Sequence, residues 1–403
     1  MRFLEASMKN FPSKLKHGLS AFMTVCLTGI PQTYADDTKI YKASATDSSI
    51  QPNVLFVIDT SGSMAFSTSS GNSCGYSGGY ILCSDSRLGV AQDAITKLVD
   101  GNDDIDFGLM RFNSTSGGYV LAGIGSPMST LKTTIANLPA DGGTPLTETL
   151  WEAYLYITGQ SLYYGEKVNE LFRDTSVESK TSTTNRVRKC NWWGCWWENE
   201  TVTNYTYISP FDNPDEVKRC DNSVNVIYMT DGDPSAGSDN EQDSNISSLH
   251  KSYFGSSLSD SDKIAGVYLH KLAKIIHGTD NVEVDLRPDT SEIHETGRVY
   301  TIGFGSGMSD NGKRLLSETA RLGGGKYLHA NTSDQLSEAL KNTITQIREV
   351  NDSFTAPSVA SNNVDQTRSR ESIYYAMFYP KTGARWRGNL KKLKVSRMDH
   401  PVK

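Results

Sequence analysis

Between Gln51 and about Val350, two hydrophobic rhythms alternate along the chain. Val54-Leu55-Phe56-Val57-Ile58 is an unbroken apolar run with four of its five residues β-branched or aromatic, and it reads as a strand buried on both faces. Arg87–Asp100 instead sets Leu88, Ala91, Ala94, Ile95 and Leu98 on one helical face. Further strands are expected at Ile105–Phe112, Val224–Met229, Val299–Phe304 and Lys326–His329. Helices are expected at Thr130–Leu138, Leu146–Ile157, Asp262–Ile276, Asn311–Leu322 and Asp334–Glu349, the last with Ser333 as its cap. Such alternation predicts an α/β fold with a doubly wound, mainly parallel sheet flanked by helices. Strand Val54–Ile58 belongs near its centre, where the winding reverses. Ligands of such sheets bind outside the carboxyl ends of the strands at that point.

Two stretches break the rhythm. Ser67–Asp85 is rich in Ser and Gly. Tyr163–Asp221 carries two alternating segments, Thr181–Asn191 and Trp196–Ile208, which predict a β-hairpin arm with Trp193-Gly194 at its tip. Trp192, Trp193, Trp196 and Trp197 fall in this arm. They are expected to pack as a small local core around the turn, since an isolated hairpin needs something to bury. Left exposed, they would form a contact patch for a protein, glycan or surface. Asp239–Asp262 reads as a polar loop, Asn351–Arg370 as a linker, and Ser372–Pro380 as a strand.

Composition places the chain outside the cytoplasm. Lys9, Lys14, Lys16 and His17 precede the apolar stretch Leu19–Ile30, and Thr33-Tyr34-Ala35 offers small residues for cleavage after Ala35. Residues 1–35 therefore read as a signal peptide, followed by a linker over 36–50. No later run is long and apolar enough to span a bilayer, so no transmembrane segment is expected after cleavage. Cys26 lies in the leader, leaving Cys74, Cys83, Cys190, Cys195 and Cys220. Cys74 and Cys83 bracket a Gly-rich loop suited to a disulfide. Cys190 pairs with Cys195, or either one pairs with Cys220, and one thiol is left over. At 403 residues the chain can bury a large core, and its net charge of −6 argues against nucleic acid as a partner. The basic run Arg385–Lys394 reads as one solvated strand face.

The chemistry concentrates in the turn after the first strand. Asp59, Ser61 and Ser63 place one carboxylate and two hydroxyls at alternate positions, the oxygen-only donors a hard divalent cation takes. Asp141-Gly142-Gly143-Thr144 opens a helix, and Met229-Thr230-Asp231-Gly232-Asp233 follows another buried strand. The pattern Asp-x-Ser-x-Ser, then Thr144, then Asp231 resembles the metal-ion-dependent adhesion site of von Willebrand factor type A domains. That resemblance implies Mg²⁺, with Mn²⁺ or Ca²⁺ as alternatives, on Asp59, Ser61, Ser63, Thr144 and Asp231. It also implies an open coordination position for a partner's acidic group. Asp233 reads as turn chemistry before Pro234. Gly303-Phe304-Gly305-Ser306-Gly307 lacks the spacing of a phosphate loop, and no nucleophile–base set stands out, so no catalysis is expected.

Phe378-Tyr379-Pro380, followed by Arg385-Trp386-Arg387-Gly388-Asn389-Leu390-Lys391-Lys392, resembles the start of the C-terminal domain of PilC/PilY-type proteins. These are type IV pilus tip adhesins and biogenesis factors. The resemblance implies a type A domain over 51–350, with insertions at 67–85 and 163–221, and the beginning of a C-terminal β domain over 351–403. It implies a piece truncated before the family's propeller. The expected role is metal-dependent adhesion and pilus assembly at the cell surface, with minor pilins and an acidic host or surface ligand as partners. During assembly the protein would be periplasmic or associated with the outer membrane. A structural or force-sensing role without direct adhesion is the alternative, and an exported hydrolase a more distant one.

Overall fold

A computed structural model describes residues 51–351, apart from 75, 78–79, 82, 213–221, 236–237, 280 and 289–294, together with the strands at 354–356, 372–379 and 387–394. The expected leader, the 36–50 linker, Cys26, Cys220, Arg385 and Trp386 lie outside the described residues, and so does most of the 351–370 linker.

The elements in chain order are β1 (Asn53–Ile58), β2 (Tyr76–Ser77), β3 (Tyr80–Ile81), α1 (Arg87–Asp100), β4 (Asp106–Phe112), β5 (Gly118–Ala122), α2 (Met128–Ala136) and α3 (Leu146–Thr158). They continue with β6 (Glu178–Asn191), β7 (Gly194–Tyr207), β8 (Asn222–Thr230), α4 (Asp243–Phe254), α5 (Leu269–His277), β9 (Glu295–Phe304), α6 (Asp310–Leu322), β10 (Gly324–Ala330) and α7 (Ser333–Asn351). Strands β11 (Phe354–Ala356), β12 (Ser372–Tyr379) and β13 (Arg387–Lys394) form a separate antiparallel sheet.

The main sheet has six strands in the order β10-β9-β8-β1-β4-β5. All neighbours are parallel except β5, which runs antiparallel along β4 at one edge. From β1 the chain winds towards β4 and β5. It then returns to β8 on the other side of β1 and winds outward to β9 and β10. The reversal therefore falls between β1 and β8, as the doubly wound reading requires.

Alternation along β1 divides the core. Val54, Phe56 and Ile58 pack with Ala91 and Ile95 of α1, Ile135 of α2 and Leu340 of α7. Leu55 and Val57 face the opposite cluster, which holds Leu150 of α3, Leu272 of α5 and Leu315 of α6. Each such buried side chain contributes about 1.5–3 kcal/mol relative to exposure, so the sheet is held firmly from both faces.

Four expectations are corrected. The polar stretch 239–262 contains α4, whose only buried side chains are Ile246 and His250. Ile246, Leu249, Tyr253 and Phe254 fall on one helical face with His250 and pack on the core, a stripe that the Ser, Asn and Asp between them obscured. The helix expected at Asp262–Ile276 begins only at Leu269, because Ala265 and Gly266 take positive φ (51° and 81°) in a turn between Ile264 and Val267. The hairpin turn is Trp192-Trp193, one residue earlier than expected, with Asn191 paired to Gly194.

The tryptophans do not form a local core either. Trp192 and Trp193 are 91% and 88% exposed, and Trp196 and Trp197 are 45% and 58% exposed. A two-stranded ribbon has no second layer beneath it, so rings at its end have nothing to pack on. The disulfides Cys74–Cys83 and Cys190–Cys195 are both formed.

Candidate metal centre

Strands β1 and β8 lie side by side, and an aspartate follows each. Their ladder runs one residue past β1, with the Asp59 N–H donating to Met229 O at 2.9 Å. The chain then folds back because the Ser61 N–H donates to Asp59 Oδ1 at 2.7 Å, a local turn that Asp favours. A single 3₁₀ turn, Gly62–Ala65, follows and buries Met64 and Ala65, fixing the segment from below. The Ser61 and Ser63 hydroxyls lie 2.9 Å apart, and Ser63 donates to Asp231 Oδ1 at 2.7 Å. Thr230 Oγ1 donates to Asp59 Oδ2 at 2.6 Å, so the two strand ends are locked together.

The loop before α3 joins this corner through its backbone. The Asp141 N–H donates to Thr60 O at 2.6 Å, and the Gly62 N–H to Gly142 O at 3.1 Å. Gly142 is needed here. Its φ is +93°, and a Cβ would come within 2.3 Å of the Ser114 backbone. Thr144 is tied to the loop after β8, its N–H donating to Ser235 Oγ at 2.8 Å while Ser235 N–H returns to Thr144 O at 3.1 Å. Pro145 offers no side-chain cap to α3. Asp239 supplies one from the same loop, accepting from the Thr147 and Glu148 N–H groups at 2.8 and 2.9 Å. Thr144 Oγ1 lies 4.0 Å from where a Cβ on Gly232 would sit, beside Asp231. All five residues expected to hold the ion, Asp59, Ser61, Ser63, Thr144 and Asp231, thus meet at one corner.

The electrostatics of the corner are unbalanced. Asp59 is 0% exposed and Asp231 2%. Burial, and then the charge of Asp231, push the Asp59 carboxyl up to about 7, although hydrogen bonds from Ser61 and Thr230 pull the other way. The cation beside them is Arg87, whose Nη1 reaches Asp231 Oδ2 at 2.5 Å. Its guanidinium lies over the Phe66 ring at 5.9 Å. On the other side it meets Gly305, where a Cβ would stand 3.1 Å from Nε. Two buried carboxylates with one arginine leave a deficit of positive charge. The remaining donors are neutral hydroxyls, so the set fits a hard divalent cation.

Arg87, Thr230 and Ser235 went unnoticed in the sequence. Arg87 did leave a signal. It opens α1, and a cation is disfavoured at a helix N-terminus unless something nearby holds it. Asp233 points elsewhere, accepting from Ser309 Oγ at 2.8 Å at the start of α6. Gly305, with φ +99°, makes the strand-to-helix turn expected of it. Cys74, Cys83 and Asp85 also place possible ligand atoms within 4.8 Å of one another, but both sulfurs are spent in the disulfide. No helix among the described residues is long and apolar enough to cross a membrane.

A central parallel β1 with an Asp-x-Ser-x-Ser turn at the switch point, and a Thr loop and an Asp loop closing on it, settles the architecture. The fold is doubly wound α/β, with the site at the switch point of a mostly parallel sheet. No family model matches this chain, and no curated protein does. Several solved structures are similar at low identity. BatB from Bacteroides thetaiotaomicron is 14% identical with a TM-score of 0.37, over 74% of this chain and 99% of that one. The PilB minor pilin from Streptococcus sanguinis is 16% identical with a TM-score of 0.39, over 75% and 63%. The vWF domain of the type V pili tip protein Mfa5 from Porphyromonas gingivalis is 13% identical with a TM-score of 0.34, over 74% and 95%. At such distances they bear on no residue of this chain.

Proposed function

We propose that this type A domain is a metal-dependent adhesion and assembly module of a type IV pilus tip protein, exported to the cell surface and without catalytic activity. The observation that carries the metal reading is the charge deficit of the Asp59–Asp231 corner, with three hydroxyls and one arginine around two buried carboxylates. When bound, a divalent cation supplies positive charge and a coordination position for a partner's acidic group.

The chain's own residues do the rest. Asp59 is held by Thr230 and the Ser61 N–H, so its carboxylate is oriented in advance. Ser61, Ser63 and Thr144 offer neutral oxygens, which leave part of the ion's charge for the partner. Arg87 pairs with Asp231 and lies against Phe66 and the Gly305 loop, so it is the cation with which a divalent ion would compete for that carboxylate. Mg²⁺ suits the small hydroxyl-rich donor set best, with Mn²⁺ and Ca²⁺ next.

The pilus assignment rests on the PilC/PilY resemblance of residues 378–392, and minor pilins and an acidic surface ligand are the partners it brings. Calorimetric titration of the full chain with Mg²⁺ tests the centre. Saturable heat should appear and vanish in Ser61→Ala/Ser63→Ala. A chain that takes up no ion would make the Arg87–Asp231 pair a permanent structural link, and the domain an assembly or force-bearing element instead. Asp59→Ala in the piliated cell separates the two readings, since loss of adhesion with pili retained supports the adhesive one.

A further inference from the structure

The arm formed by β6 and β7 is fixed at its base and bare at its end. At the base, Arg173 pairs with Glu178 through two nitrogens at 2.7 and 3.1 Å, both side chains being buried. Glu152 accepts from the Tyr163, Tyr164 and Gly165 N–H groups and from the Tyr207 hydroxyl, which ties the return strand to α3. Above the base the ribbon is polar. Ser182 bonds Thr203 at 3.1 Å, and Thr184 bonds Thr201 at 2.9 Å. At a rise of roughly 3.3 Å per residue, its paired strands carry the turn about 40 Å from the base.

At the far end, Trp192 and Trp193 make the turn. Trp196 pairs with Lys189 on one face of the ribbon, and Trp197 with Arg188 on the other. Cys190–Cys195 ties the strands just below. Aromatic rings on both faces and at the end do not suit a flat partner, which would cover one face and leave the other wet. They suit a medium that surrounds the tip. Charge identifies that medium. From Val187 to Trp197 the only charged residues are Arg188 and Lys189, both basic, in a chain whose net charge is −6. Towards the base follow Glu198, which pairs with Lys189 at 3.2 Å, and Glu200, whose charge also acts on Lys189. Arg186 adds a third basic group over the Trp197 ring at 5.7 Å, leaving a net excess of one positive charge from Arg186 to Glu200.

We propose that the tip of the arm inserts into the headgroup region of a bilayer carrying anionic phospholipid. The indole rings of Trp192, Trp193, Trp196 and Trp197 would lie at the interface, where one edge is apolar and the other wet. Arg188 and Lys189 would lay their stems along the rings and reach lipid phosphates with their heads. The Thr-rich stalk, which has no apolar face to bury, would stay in water and set the stand-off between membrane and domain.

The test uses the full chain with two vesicle preparations, pure phosphatidylcholine and a mixture of three parts phosphatidylcholine to one of phosphatidylglycerol. Four of the six tryptophans are in the arm, so emission reports mainly on the tip. With the mixed vesicles it should shift to the blue and be quenched by brominated phosphatidylcholine, and the protein should co-sediment. Trp192→Ser/Trp193→Ser should weaken that binding about tenfold or more, the scale of one well-buried contact. Arg188→Ser/Lys189→Ser should remove the preference for the anionic lipid. The idea is overturned if the native chain ignores both vesicles, or if binding survives both pairs of substitutions. It is overturned equally if the tip captures a soluble glycan or protein while its emission stays unchanged with lipid. Brominated-lipid quenching of the native protein decides the matter even if a variant fails to fold.

Discussion

The corner at Asp59 and the tip at Trp192 both follow the end of a strand, and they solve opposite problems. The carboxylates of the corner are buried while its hydroxyls at Ser63 and Thr144 stay half-exposed, so the charge left under-compensated marks the place for an ion that a partner can still reach. The tip has no second layer, so its rings remain in water and mark the place for a surface. Burial turns a turn into a binding site by constraining charge. Exposure does the same by leaving apolar area unpaid. The two regions should therefore respond to different perturbations, and substitutions can separate them.

The largest effect is expected at the corner. Asp231→Ala removes one of two carboxylates, the acceptor of Ser63 and the partner of Arg87. Magnesium heat should disappear entirely, with the arm's vesicle binding unchanged. A parallel loss of vesicle binding would show that the two regions are coupled. Arg87→Gln comes next and should act in two directions. Breaking a largely buried ion pair costs about 3–5 kcal/mol, so the ion-free domain should melt earlier. The same change removes the competing cation, so Mg²⁺ should bind more tightly and restore most of the lost stability. Thermal melts with and without Mg²⁺ read both effects. A variant that loses stability without gaining affinity would place Arg87 outside the ion's reach.

Legibility followed the same divide. Asp59, Ser61 and Ser63 stood out in the sequence as an oxygen-only turn after a buried strand, while Thr144 and Asp231 joined them through the type A resemblance. Arg87 left only the signal of a cation at a helix start, which does not name its partner until the fold brings Asp231 against it. Strands buried on both faces, such as β1 and β8, announce themselves as apolar runs. Helix α4 did not, because Ser, Asn and Asp make up half of it and hide the apolar stripe of Ile246, Leu249, Tyr253 and Phe254. The arm's strands were visible in the alternation, but whether its tryptophans were covered depended on a second layer, which no local pattern specifies.

The body also differs from the arm in acid. His270 of α5 is 4% exposed, and its Nδ1 has no hydrogen-bond partner. Burial, with Lys271 beside it, lowers its pKa from 6.5 to about 4. The unfolded chain therefore takes up a proton below pH 6.5 that the fold refuses until about pH 4. Its stabilising contribution is complete above pH 6.5 and is lost as the pH falls through that window, by at most about 3 kcal/mol. Thermal denaturation between pH 7 and 4 should show this slope, and His270→Gln should flatten it. The ribbon has no such buried base, so its hydrogen exchange, corrected for the intrinsic pH effect, should not follow.

The smallest effect on the whole domain should come from the disulfide at the tip. Cys190→Ser/Cys195→Ser opens a cross-link separated by only five residues, inside a ribbon whose faces above the base are exposed. By chain entropy so short a loop is worth about 2 kcal/mol, but only to the ordering of the residues it encloses. The domain's melting should move by less than about 0.5 kcal/mol, the usual range for surface substitutions. Amide exchange over residues 186–200 should accelerate, because local opening there no longer has to work against the cross-link. The tip's rings would also lose their fixed spacing, so vesicle binding should weaken while magnesium heat stays unchanged. A domain that melted much earlier would mean the ribbon folds as one unit with the sheet, and the separation of corner from tip would fail at its weakest joint.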